Sequence, residues 1–272
     1  MRDPAERHRP RKRFGQHFLH DRGVVARLIA AIAPRAEDHL VEIGPGEGAL
    51  TEALLGRSAS LDLIELDRDL AAALAARLAA HTGVHVHQAD ALAFDFAALA
   101  SPAHGGRRLR VVGNLPYNVS TPLLFHLLDQ LHAIEDMHFM LQREVVTRLA
   151  AHPGEAGYGR LGVMIGLRCH CEKLFTVAPG AFRPPPRVTS AVVRLRPRAA
   201  PAAEVASQDV FTRLVARLFS QRRKTVRNGL RGVLEERELR ALGIDPGARP
   251  ERLDIAQFAA LANAVHARGA AL

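Results

Sequence analysis

Short apolar runs alternate with helical patterns from residue 39 to residue 151, and this alternation limits the fold more than any other feature. The runs are "HLVEIG" (39–44), "SLDLIELD" (60–67), "VHVHQAD" (84–90), "RLRVVGN" (108–114) and "DMHFMLQ" (136–142). The helical patterns are "EGALTEALLGR" (47–57), "RDLAAALAARLAAH" (68–81), "STPLLFHLLDQL" (120–131) and "REVVTRLAA" (143–151). An earlier helix is predicted over 21–33, with Asp21 as N-cap and Pro34 as a stop. Strands that alternate with helices build a parallel sheet through right-handed crossovers. The pattern then changes. Two β-rich stretches, 158–177 and 187–197, flank a stiff proline loop, "APGAFRPPPR" (178–187). Strands without a helix between them predict an antiparallel pair at the sheet edge. Beyond "RAAPAAEVASQ", which reads as a linker, only helical patterns follow. The expected fold class is therefore α/β, a mostly parallel sheet with an antiparallel edge strand, plus a small all-α C-terminal domain. The domains are expected at 1–20 (a basic segment), 21–198 (the sheet) and 199–272 (the helices).

The 272 residues carry a net charge of +9, nearly all of the positive charge from arginine. Such a balance suits a polyanionic partner, either nucleic acid or an anionic surface. An arginine-rich composition alone also produces it, so the position of the charge matters more than its sum. No run of about 20 apolar residues is present to span a membrane. The charged start "MRDPAERHRPRKRF" has no apolar core of a secretory signal. A cytoplasmic location is expected. Cys169 and Cys171 are the two cysteines, and their spacing disfavours a disulfide. No metal-ligand pattern stands out, and no metal is expected.

The first strand of the alternating series ends in Glu42-Ile43-Gly44-Pro45-Gly46-Glu47-Gly48 and leads into a helix. Gly44 and Gly46 allow a sharp turn and a close ligand approach; an ordinary tight βα loop would use them too. The GxGxG spacing differs from the pyrophosphate-binding GxGxxG, and Glu42 beside it repels a phosphate while tolerating a cation. Glu65 ends the next strand, where a carboxylate accepts bonds from ribose hydroxyls. Asp90 follows the third. Each acid alone is explained as a helix N-cap. Together, at the carboxyl ends of consecutive strands, they suit a ligand with an amine, a ribose, an adenine amino group and no phosphate. S-Adenosylmethionine has these groups and a sulfonium charge, and leaves as S-adenosylhomocysteine.

The fourth strand delivers Asn114-Leu115-Pro116-Tyr117 to the same edge. The Asn114 side-chain oxygen and the Leu115 carbonyl can accept hydrogen bonds from an exocyclic aromatic amine, directing its lone pair outward. Pro116 biases Leu115 toward extended geometry and so aims that carbonyl. Tyr117 offers a stacking face for an extruded base. A turn uses Asn and Pro for ordinary reasons too.

With "RKRFGQHFL" (11–19), "VEIGPGEGALT" (41–51), "LIELDRDL" (63–70), "GNLPYNVSTPLLFHL" (113–127), "AFRPPPRVTSAVVRL" (181–195) and "FSQRRKTVRNGL" (219–230) in this order, the chain closely resembles the bacterial 16S ribosomal RNA adenine dimethyltransferases, whose loss confers kasugamycin resistance. The resemblance covers nearly the whole chain. It implies a class I (Rossmann-like) S-adenosylmethionine-dependent methyltransferase that dimethylates N6 of two adjacent adenines near the 3′ end of 16S rRNA. It implies cofactor contacts at His17, Leu19, Gly44, Glu65, Asp90 and Asn114, with the segment 1–20 folding over the cofactor. The family often has Asn where this chain has His17. It implies that Tyr117 and Phe182 sandwich the target adenine; the residues alone would make Phe182 a core position.

"SQRRKTVRNGL" (220–230) is the densest basic segment after the N-terminal "RPRKR" (9–13). Arg223 and Arg227 are four apart and are expected to share a helix face, with Arg222 and Lys224 nearby. A solvated face is the ordinary use of such a run, and the resemblance points instead to phosphates of the 30S subunit or its precursor. The protein is expected to be a monomer. Rival readings are a methyltransferase of 23S rRNA, a ribosome-assembly or transcription factor without catalysis, and a nucleotide-dependent oxidoreductase. The "QRRKT" segment and the full-length match favour the small-subunit type over the first, intact Glu65, Asp90 and Asn-Leu-Pro-Tyr argue against the second, and the GxGxG spacing with Asn-Leu-Pro-Tyr disfavours the third.

Overall fold

A computed structural model of the chain describes residues 16–100, 106–221 and 223–270. The chain divides into two compact units, one comprising Met1–Val146 and Glu172–Pro197, the other Thr147–Cys171 and Arg198–Leu272.

The chain enters through β1 (Phe18–Leu19) and α1 (Arg22–Ile32). The Asp21 carboxylate accepts from Val24 N and caps α1, and Ala33, at φ 47°, closes the helix before Pro34. The alternating series follows: β2 (His39–Ile43), α2 (Ala49–Leu54), β3 (Ser60–Glu65), α3 (Arg68–Leu78), β4 (Val84–Gln88), α4 (Phe96–Leu99), β5 (Leu109–Asn114), α5 (Ser120–Leu128) and β6 (Ile134–Gln142). After α6 (Arg143–Ala150) and α7 (Arg160–Arg168) come β7 (Cys169–Val177), β8 (Phe182–Arg183) and β9 (Ser190–Pro197). Among the described residues, seven strands form one sheet in the order β4-β3-β2-β5-β6-β9-β7. The pairs from β4 through to β6 are parallel, and β9 runs antiparallel to β6. The α/β class and the antiparallel strand beyond the parallel series match the sequence pattern. A second ladder, β1 with β8, pairs Phe18 with Arg183 and Leu19 with Phe182. Nothing in the sequence announces it.

Leu40, Val41, Leu63, Val111, Val112 and Phe139 are fully buried in the sheet. Helices cover both faces of a parallel sheet, so its strands read as continuous apolar runs. Strand order reverses between β2 and β5, and the loops after these strands diverge there, opening a crevice at their carboxyl ends. The two strands approach closely at Gly113, where a Cβ would stand 2.5 Å from the Ile43 carbonyl oxygen. Only glycine fits.

The opposite end of the sheet is bolted by charge. The Arg110 guanidinium donates to both Asp136 oxygens at 3.0 and 2.8 Å, to Asp38 at 2.6 Å, and to the Ile32 carbonyl at 2.6 Å. It thereby ties the end of α1 to β5 and β6. All three charged residues are buried.

The second unit contains α7, α8 (Gln208–Ser220), α9 (Val226–Gly229), α10 (Glu236–Ala241) and α11 (Ile255–Ala267). Two expectations change here. The stretch 158–177 is not continuous strand: its first half is the helix α7, and only Cys169–Val177 is extended. A short apolar run does not distinguish a strand from a buried helix, and Val163, Met164, Ile165 and Leu167 are all buried. Gly162 permits close packing, since a Cβ there would lie 2.7 Å from the Arg148 carbonyl. As a result, 147–171 groups with the C-terminal helices, although the sequence pattern places it within 21–198. Nor do Arg223 and Arg227 share a helix. Helix α8 stops at Ser220, and Thr225, whose hydroxyl accepts from Asn228 N, caps a new one.

Removing Arg110 leaves buried Asp136 without its guanidinium partner and leaves Asp38 with Arg35 alone. Arg110→Ala is expected to lower stability by about 3–5 kcal/mol, read as a fall in the urea midpoint with an unchanged slope.

Candidate active site

A cavity of about 320 Å³ opens at the switch point between β2 and β5. His17, Leu19, Glu42, Gly44, Gly46, Glu65, Asp90, Asn114, Leu115, Pro116 and Tyr117 all line it. These residues come from the N-terminal segment and the ends of four parallel strands. Topology alone gathers them.

The glycine turn after β2 is shaped for the protein's own chain as well as for a ligand. Gly46 has φ 58°, and a Cβ there would lie 2.9 Å from the Phe18 ring. Phe18 thus packs on the turn that the glycine leaves bare. Glu65 steadies the same turn, accepting from Gly46 N at 3.1 Å and from Asp67 N at 2.9 Å. Asp90, exposed, accepts from Leu92 N at 2.9 Å. Glu42 is different. It is 2 % exposed, accepts from the Thr51 hydroxyl at 2.7 Å, and has no cationic partner among the described residues. Burial pushes its carboxyl up to about 7, and the neighbouring Glu65 charge adds to the shift. Burial also raises Glu65. Two acids under a desolvation penalty, in a cavity with largely apolar walls, suit a ligand with a positive charge and hydroxyl donors. The residues therefore fit S-adenosylmethionine.

On the other side of the crevice, the Asn114 amide nitrogen donates to the His17 carbonyl at 2.9 Å. This bond fixes the side chain and leaves Oδ1 as an acceptor. Leu115 N donates to the Met140 carbonyl, while the Leu115 carbonyl takes no hydrogen bond among the described residues. The two acceptors expected from the sequence are thus both open. Tyr117 is half-buried. Its hydroxyl lies 2.7 Å from Ser190 Oγ, and its carbonyl accepts from Ser120 Oγ at 3.0 Å. The His17 ring is tilted against it with centroids 5.8 Å apart.

Phe182 corrects an expectation. It does not line the cavity: it is 2 % exposed and packs in the core with Leu19 and Leu28. Its backbone is held by the β1–β8 ladder, and its ring lies in the buried cluster that also holds Val177 and Ala181. Arg223, Lys224 and Arg227 are exposed residues of the second unit, with Arg227 paired to Glu236 at 3.0 Å. Arg222 and "RPRKR" (9–13) lie outside the described residues. The residues that sequence reasoning missed are Phe18, Thr51 and Ser190. Thr51 carries a weak signal, one turn into the helix after the glycines. Ser190 carries none, since 73 residues separate it from Tyr117.

A strand-order reversal, a glycine turn and acceptors for a positively charged nucleoside define a class I methyltransferase. The family model "Ribosomal RNA adenine dimethylase" matches residues 7–267. The chain belongs to that family. A "Ribosomal RNA small subunit methyltransferase A" from Nitrosococcus oceani is 59% identical over 93% of this chain and 95% of its own length. One of the same name from Pseudomonas aeruginosa is 54% identical over 94% of each chain. The structure resembles the 23S rRNA methyltransferase ErmE, with a TM-score of 0.70 and 28% identity over 92% of this chain and 99% of that one. A dimethyladenosine transferase from Plasmodium falciparum superposes with a TM-score of 0.80 over 93% of this chain and 98% of that one; at 24% identity it shows the shared fold.

Two predictions follow from this geometry. Ser190→Ala should lower kcat for methyl transfer severalfold at unchanged cofactor affinity. In a Tyr117→Phe background the same change should have little further effect, because both variants remove one bond. Glu42 gives a pH signature. Its folded pKa is about 7 against an ordinary 4.5, so the fold favours the neutral acid, and stability without cofactor should fall as pH rises from about 5 to about 7. Glu42→Gln should flatten that slope in urea titrations across the same window.

Proposed function

We propose that this chain transfers methyl groups from S-adenosylmethionine to N6 of two adjacent adenines near the 3′ end of 16S rRNA, giving N6,N6-dimethyladenosines during 30S subunit biogenesis. The observation that carries this reading is the paired placement of two open acceptors, Asn114 Oδ1 and the Leu115 carbonyl, beside a cavity rimmed by Glu42, Glu65 and Asp90. The similarity to small-subunit methyltransferases over nearly the full chain supports the choice of rRNA.

When bound, S-adenosylmethionine would supply an electrophilic methyl group whose leaving group is a neutral thioether. Glu65 would hold the ribose hydroxyls and Asp90 the adenine amino group, and Glu42 would offset positive charge. Gly44 and Gly46 leave the backbone bare against the nucleoside, and His17 and Leu19 close the cavity from the N-terminal side. Asn114 and Leu115 accept the two N–H bonds of the target amine. An aromatic amine is a weak nucleophile because its lone pair is spread into the ring; holding both N–H groups in the carbonyl directions turns that lone pair toward the methyl group. Pro116 restricts Leu115 so that its carbonyl stays aimed. Tyr117 presents its ring to the extruded base, braced at its hydroxyl by Ser190. Catalysis on this reading is positioning, without a strong base: once each N–C bond has formed the nitrogen releases one N–H proton to solvent, and in the second transfer one of the two acceptors holds the single N–H that remains.

The helical second unit is the candidate for ribosome contact, through Arg222, Arg223, Lys224 and Arg227. Cytoplasmic location and a monomeric state complete the reading. No described helix is long and apolar enough to cross a membrane.

Asn114→Ala should reduce transfer by at least 10²-fold, on the scale of losing an oriented polar group at a reacting centre, while leaving the unfolding midpoint near wild type. The test uses labelled cofactor with undermethylated 30S subunits, 50S subunits and naked 16S rRNA in parallel. Near-normal turnover by the variant removes Asn114 from the mechanism, and incorporation confined to 50S identifies the other rRNA.

A further inference from the structure

The proline loop between β8 and β9 contributes a buried ring to the core, yet most of its length faces solvent. Phe182 and Pro186 are buried, while Arg183, Pro184, Pro185, Arg187 and Val188 are exposed. The loop is fastened at both ends to groups that line the cavity. The His17 Nδ1 donates to the Pro184 carbonyl at 2.7 Å. Ser190, just beyond the loop, holds the Tyr117 hydroxyl at 2.7 Å, and the Thr189 carbonyl accepts from Arg143 N at 2.9 Å. The exposed stretch is thereby tied at its two ends to His17 and Tyr117, which both line the cavity.

We propose that this stretch, residues 183–188, is the surface on which the RNA strand flanking the target adenine lies, with Arg183 and Arg187 contacting phosphates and Val188 packing on an unstacked neighbouring base. The inference rests on the reading of the site as an adenine methyltransferase and adds the substrate-facing surface to it. Charge complementarity carries the first part. Among the described residues, neither Arg183 nor Arg187 has a carboxylate partner, whereas Arg227, Arg240 and Arg213 are each paired with an acid. An unpaired guanidinium is available to a phosphate without first losing an ion pair. Exposure carries the second. Val188 and Leu66 are the two large apolar side chains left exposed among the described residues, at 44% and 50%, and Leu66 lines the cavity. Val188 stands two residues from Ser190, so its Cα is within about 7 Å of the Cα of the residue that braces the stacking ring. A target base leaving its stack uncovers the faces of its neighbours, and an exposed apolar side chain can cover one. Pro184, Pro185 and Pro186 restrict the backbone, so little conformational freedom is lost when RNA binds.

The experiment compares the full-length protein with Arg183→Gln/Arg187→Gln and Val188→Ser variants on undermethylated 30S subunits, with 50S subunits and naked 16S rRNA in parallel, across a salt series. The double arginine variant should raise KM for the RNA substrate at unchanged kcat and cofactor affinity. It should also reduce the slope of log affinity against log salt by about 1 for each arginine replaced, and Lys at both positions should restore the slope. Val188→Ser should raise KM and leave the slope unchanged, because its contact carries no charge. Wild-type KM and slope in the double variant would overturn this RNA surface while leaving the methyltransferase reading intact. Loss of cofactor affinity in every variant would assign the loop a structural role instead. A wild-type protein inactive on all three substrates would overturn the underlying reading, and the RNA surface with it.

Discussion

The close approach of β5 to β2 is the constraint on which the site depends. Gly113 lets the Ile43 carbonyl come where any Cβ would collide with it. The strand that carries Asn114 can then run alongside the strand that leads into the glycine turn. Chain order reverses between these two strands, so the loops after them separate. One loop presents backbone without side chains, and the other presents amide and carbonyl acceptors. A two-substrate cavity is the geometric result of one missing methyl group and one reversal of direction.

The N-terminal segment closes this arrangement from outside the main sheet. Phe18 fills the space that Gly46 leaves empty, Leu19 pairs with Phe182, and the His17 carbonyl takes the Asn114 amide. The last bond ties the N-terminal segment to the strand end that carries the Asn114 and Leu115 acceptors. Asn114 offers an oriented oxygen because its nitrogen is already committed. The same segment, through His17 and Pro184, also reaches the proline loop that borders Tyr117. Three chain segments distant in sequence thus hold one another around the cavity.

The two ends of the sheet treat buried charge in opposite ways. At the amino end, Arg110 is matched by Asp38 and Asp136 and by the α1 carbonyls, so the desolvated charges are satisfied within the protein. At the carboxyl end, Glu42 has only the Thr51 hydroxyl, and its carboxyl is pushed up to about 7. An unmet electrostatic demand remains where a cation can meet it, which is the ordinary division between a structural and a functional site.

Periodicity and spacing determined much of this protein. Continuous apolar runs ending in glycine or acid define parallel strands, because only strands covered on both faces are apolar throughout. The positions of Glu42, Glu65, Asp90 and Asn114 at strand ends were legible for the same reason, since strand order in the chain already places carboxyl ends on one edge. Three things were decided only in three dimensions. The stretch at 160–168 became a helix, because a short buried apolar run satisfies either period. Phe182 lies in the core with its backbone in the β1–β8 ladder, and that ladder joins segments more than 160 residues apart. Ser190 became the brace of Tyr117 through a bond with no local pattern. Local sequence records what a segment prefers. Which distant segment meets it, and which face then turns inward, is set by packing.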